Sequence, residues 1–134
     1  MRPPIITIDR EGWLSVFASV GEAEAWLEAP DVEDDEYLAF DADGAVLDLT
    51  VERQVQVPWH RRLRHQDPVR VSGSKRPPDP GALTAMLFEA VSSAEPNAVR
   101  SVDREPLSGL VAEAQRYAAR GFNLRARGAQ RPIV

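Results

Sequence analysis

Hydrophobic and polar residues alternate with a period of two early in the chain and with a helical period later. Ile5-Ile6-Thr7-Ile8 is β-branched throughout and predicts a strand. Trp13 to Phe17 predicts a second strand, and the turn residues Asp9-Arg10-Glu11-Gly12 between the two predict a hairpin. Ser19 with Glu22 three positions on is a capping box opening a helix over Val20–Ala29, which Pro30 is expected to stop. Tyr37 to Phe40 predicts a third strand, and Asp41-Ala42-Asp43-Gly44 is a strong turn signal. The run from Ala45 to Val51 then puts Leu47, Leu49 and Val51 on one face of a fourth strand, making a second hairpin. Gln54 to Val57 either prolongs that strand or forms a short one of its own.

A Pro/Arg-rich connector follows at about 58–80, with Val69-Arg70-Val71 as a candidate edge strand. Asp79 is a natural N-cap with Pro80 at the first helical position. Leu83, Met86, Leu87, Ala90 and Val91 form the strongest helical stripe of the chain. A further helix is predicted from Ser108 to Arg120, closed by Gly121 and Phe122 in a Schellman motif. The tail from about 125 is basic and without periodicity, and is expected to be loosely held. The expected fold is a single α+β domain over 1–134. It has an antiparallel sheet of four to five strands, two hairpins bracketing a helix, and two further C-terminal helices packed on one face.

Composition narrows the chemistry. The chain has no cysteine, which removes disulfides, thiolate metal sites and a thiol nucleophile. No apolar run approaches the length of a membrane span, and Met1-Arg2-Pro3-Pro4 does not read as a signal peptide, so no membrane partner and a cytoplasmic location are expected. Net charge is −5, unevenly spread: −11 over residues 1–50, +4 over 51–80 and +2 over 81–134. Such polarity bears on association more than on stability.

With Gly44 at the sixth position of a calcium loop, Ala39 and Thr50 stand where an Asp and a bidentate Glu are required, so the segment reads as a hairpin turn. His60 and His65 are the only histidines and do not have the spacing of helical metal ligands. Ser72-Gly73-Ser74-Lys75 lacks the frame of both a nucleophile elbow and a phosphate loop. Glu22, Glu24 and Glu28 read as a solvated helix face rather than paired acid–base groups. No catalytic residue, cofactor site or metal site is therefore assigned. The basic run His60 to His65, with Arg70, Lys75 and Arg76, offers phosphate contacts, but the acidic first part of the chain opposes a polyanion.

The acidic segment stands out. Asp31, Glu33, Asp34, Asp35 and Glu36 lie beside Tyr37, and Asp41 and Asp43 follow in the next turn. Together they form a candidate partner-binding edge that would steer a basic protein. Trp13, Trp26 and Trp59 are candidate anchors, with Trp13 expected in the core.

The stretches Asp9-Arg10-Glu11-Gly12-Trp13-Leu14-Ser15-Val16-Phe17, Ser19 to Glu28 and Asp31-Val32 to Glu36-Tyr37-Leu38-Ala39-Phe40-Asp41-Ala42-Asp43-Gly44 resemble small bacterial proteins, mostly uncharacterised, found as immunity proteins of polymorphic-toxin systems. The resemblance covers residues 5–58. It implies a cytoplasmic, non-enzymatic protein that neutralises a cognate toxin by covering its active site, and it brings no catalytic or contact residue with it. Three functions stay open at this level: an immunity-type inhibitor binding a basic toxin domain through the acidic face; a small enzyme or small-ligand binder with a pocket between sheet and helices; and a nucleic-acid accessory protein using the Arg-rich segment.

Overall fold

The computed structural model describes residues 1–52, 67–96 and 105–126. Six strands form one antiparallel sheet: β1 (Ile5–Asp9), β2 (Trp13–Phe17), β3 (Tyr37–Phe40), β4 (Val46–Val51), β5 (Val69–Gly73) and β6 (Leu124–Arg125). Their order across the sheet is β5-β4-β3-β1-β2-β6. Four helices accompany them: α1 (Val20–Trp26), α2 (Ala29–Glu33), α3 (Pro80–Ala94) and α4 (Leu107–Ala119). The α+β class and both hairpins agree with the sequence reading.

The strand period divides the core in two. Ile6 and Ile8 of β1, Phe40 of β3 and Val46 of β4 face α3 and α4, joining Leu83, Met86, Leu87, Ala90, Val91, Leu110 and Ala114. Ile5, Phe17, Ala39, Leu47, Val69 and Val71 face the other way, onto Ala23, Leu27, Ala29 and Val32 of the α1–α2 segment. The C-terminal helices thus occupy one face, as expected, and the opposite face carries α1 and α2. β1 is buried on both sides, which is why its apolar run is unbroken.

Four local differences have physical causes. Pro30 does not end the first helix. That helix stops at Trp26 with Leu27 extended, and Pro30 lies in the opening turn of α2, where its missing N–H costs nothing. The acidic segment is therefore helical through Glu33, with buried Val32 anchoring it to the core. The candidate edge strand runs further than Val71, to Gly73, and pairs along most of β4. Finally, Arg125 is not loosely held: Leu124 and Arg125 form β6 against Leu14 and Trp13, and the Ala126 N–H donates to the Gly12 carbonyl at 2.9 Å. A two-residue strand held by hairpin β1–β2 has no period for a sequence to display. Gln54 to Val57, His60, Arg61, Arg62, Arg64, His65, Trp59 and the tail beyond Ala126 lie outside the described residues.

The helix ends follow their capping residues. The Ser19 hydroxyl accepts from the Glu22 N–H at 3.1 Å, and Glu22 reaches back to the Ala18 N–H at 3.0 Å. Asp79 accepts from the Ala82 N–H at 3.1 Å and caps α3. At the end of α4, Gly121 adopts φ +83, its N–H donates to Ala118, and the Phe122 N–H donates to Tyr117. The Phe122 ring meets that of Tyr117 edge-on at 5.4 Å, completing the Schellman motif.

Candidate functional site

Hairpin β1–β2 extends beyond the cover of α1, leaving part of the α1–α2 face of the sheet open. On that face β2 presents Trp13, Ser15 and Phe17 in turn. Phe17 is buried, and Trp26 of α1 leans on it at 5.5 Å between ring centroids. Ser15 is too small to fill the space between Trp13 and Trp26. The result is a cleft of about 340 Å³ between sheet and α1, with Trp13, Trp26, Asp9 and Tyr37 on its walls and Leu14, Ser15 and Asn123 completing it. Both indoles are open to solvent, Trp13 38% exposed and Trp26 56%. Trp13 is thus not a core residue. It starts its strand beyond the helical cover, and its ring is instead covered in part by the Arg125 guanidinium, 4.8 Å from the ring centroid.

Carboxylates surround the cleft. Asp9 closes the hairpin turn, its Oδ1 accepting the N–H groups of Glu11 and Trp13, each at 2.9 Å. Register pairs Asp9 with Tyr37 on the neighbouring strand. The Tyr37 hydroxyl points to Asp31 Oδ2 at 3.5 Å, the outer limit of a hydrogen bond. Burial pushes the Tyr37 phenol up to about 12, and the negative charges of Asp31, Asp9 and Glu36 push in the same direction. Tyr37 therefore stays neutral and protonated across the physiological range.

The chain matches no protein family, curated protein or solved structure.

Of the acidic residues singled out in the sequence, Asp31, Glu33, Asp34, Asp35 and Glu36 gather with Tyr37 at one end of β3. Asp34 and Asp35 are exposed, while Asp31, Glu33, Glu36 and Tyr37 are half-buried. Asp35 sits at φ +55 in the turn leaving α2, and Arg10 donates to the Asp34 carbonyl at 2.9 Å. Asp41 and Asp43 lie at the opposite end of β3, roughly 13 Å away at strand rise, so they do not continue this edge. Asp41 is only 5% exposed and holds the second hairpin together. Its Oδ1 accepts from the N–H groups of Asp43 and Ala45 at 2.9 and 3.0 Å, and its Oδ2 accepts from the Arg2 N–H at 3.1 Å. Asp43 is exposed and pairs with Arg2. Asp9 and Ser15 were missed as site residues. The signal for Ser15 was a small polar residue between two aromatics on one strand face. Asp9 was hidden because the same carboxylate serves the turn.

Among the described residues no group of His, Cys, Asp and Glu is placed to hold a metal ion, and no helix is long and apolar enough to cross a membrane.

Proposed function

We propose that this chain is a non-enzymatic protein-binding module, an immunity-type inhibitor that covers a basic toxin domain with the acidic end of β3 and the cleft beside it. The observation that carries this reading is the conjunction of two solvent-open tryptophans with a carboxylate rim on one side of the sheet. Exposed indoles supply anchoring area at interfaces, and charge around them steers an oppositely charged partner. The exposed Asp34 and Asp35 stand beside the cleft's Tyr37 wall and supply that steering charge. The neutral Tyr37 and the turn-bound Asp9 favour recognition over proton transfer.

The partner to test is the product of any large toxin-like coding sequence directly upstream of this one. Expressed alone it should arrest growth of a bacterial host, and co-expression of this chain should restore growth and yield a purifiable complex. Growth arrest without rescue, or rescue without a complex, overturns the reading.

A second reading rests on the same cleft. Its volume lies at the lower end of the range of small-molecule sites, and it sits between sheet and helix as such sites do.

A further inference from the structure

Four side chains stand in a row across the sheet, one on each of β6, β2, β1 and β3. Register places Arg125 opposite Trp13 and Asp9 opposite Tyr37, and one further step of the β1–β2 register places Asp9 opposite Trp13. The row reads cation, indole, carboxylate, phenol. Its first two members already make a guanidinium–indole contact, fixed by the Arg125 Nε–H donating to the Glu11 carbonyl at 2.9 Å. The Trp26 indole is more than half exposed across the cleft from this row. Asp9 Oδ1 is committed to the turn, whereas Oδ2 has no partner among the described residues. Of the nearby arginines of the molecule itself, Arg10 is held on the Asp34 carbonyl, and Arg125 is held by the Glu11 carbonyl over the Trp13 ring.

We propose that the cleft is a socket for an arginine side chain of a protein partner, its guanidinium lying on indole surface and pairing with Asp9. This rests on the binding-module reading and adds to it the chemistry of the anchor. Arginine suits the site better than lysine because a planar, weakly hydrated cation stacks on an indole while donating in its own plane. A side chain suits it better than free arginine. An α-carboxylate brought to the cleft meets the negative charges of Asp9, Asp31 and Glu36. The carboxylates of Asp31, Asp9 and Glu36, which add to burial in holding the Tyr37 proton, favour a guanidinium in the cleft.

The test titrates the intact chain with the blocked peptide acetyl-Gly-Arg-Gly-amide and follows the assigned indole N–H resonances of Trp13 and Trp26. The same peptide with citrulline, an uncharged isostere, and with lysine, and free arginine, serve as comparisons. The arginine peptide should shift both indoles and bind about tenfold more tightly than the citrulline peptide. Lysine should fall between, and free arginine should bind more weakly than the blocked peptide. Asp9→Asn, which keeps the turn acceptor, should abolish most of the preference for arginine over citrulline. Trp26→Ala, at an exposed position, should weaken all peptides while leaving the backbone spectrum in place. Equal binding of arginine and citrulline, shifts confined to other residues, or tighter binding of free arginine would each overturn the proposal. No toxin enters this titration, so its failure is separate from a failure of the rescue experiment.

Discussion

Asp41 carries a prediction that separates architecture from recognition. Its carboxylate accepts three backbone N–H groups, from Arg2, Asp43 and Ala45, and so ties the N-terminal segment ahead of β1 to the turn of the second hairpin. Asp41→Ala strands those donors in a partly buried place. An unsatisfied donor of this kind costs about 1–3 kcal/mol, and partial access of water brings the sum to about 3–4 kcal/mol. Asp41→Asn keeps an oxygen for Asp43 and Ala45 but turns an amide NH₂ against the Arg2 N–H, and should cost about 1–2 kcal/mol. Against a total of about 5–15 kcal/mol, both losses are measurable by urea denaturation with m held constant. Partner binding by Asp41→Asn should equal that of the wild type. A loss below about 1 kcal/mol in Asp41→Ala, or a binding defect in a fully folded Asp41→Asn, would refute the structural role.

Three further outcomes follow from named contacts. Tyr37 has a folded pKa above its unfolded value, so the stability it contributes is complete below pH 10 and is lost as pH rises toward about 12. The phenolate absorbance step missing from Tyr37→Phe should centre near 12 and move down in Asp31→Asn; a step near 10 contradicts the burial of the phenol, and no movement in Asp31→Asn contradicts the proximity of Asp31. Gly44→Ala meets both a positive φ and the Cα of Pro80, whereas Gly121→Ala meets positive φ in open space. The first should cost more than about 2 kcal/mol and the second about 1 kcal/mol, and equal melting shifts would show that the turn does not dock on α3. Glu24 Oε2 accepts from the Val71 N–H on edge strand β5 at 2.9 Å. Glu24→Ala should speed hydrogen exchange at Val71 about tenfold and promote association at that edge, while Glu24→Gln should change little; an unaltered Val71 rate argues against this cap.

Features set by residues close in sequence were legible before the fold. The Asp79 cap, the α3 stripe, the Gly121–Phe122 stop and both hairpin turns are each written in a few neighbouring positions. Features set by distant partners were not. β6 exists because hairpin β1–β2 offers an unpaired edge, and two residues carry no periodicity. Pro30 signals either a stop or a start, and only the packing of Val32 decides between them. In sequence Ile5-Ile6-Thr7-Ile8 is read only as a strand, although its lack of alternation is the mark of a strand buried on both faces. The acidic run was visible, but its division by β3 was not, because equal charges look alike until the hairpin turn claims Asp41. The cleft needed three strands and a helix to assemble, so its residues are scattered from Asp9 to Asn123.

The central claim is that the wet carboxylates at the Tyr37 end of β3 recruit a basic partner. The most direct measurement is the stopped-flow association rate of the complex for wild type and for the double variant D34K/D35K, at low and high ionic strength. Both side chains are exposed, so the melting temperature should fall only by the small cost of placing Lys at the positive φ of Asp35. Reversing them should slow association about tenfold at low salt, flatten the salt dependence, and let the two rates converge at high salt. Equal rates and equal salt slopes for the two proteins would contradict the account.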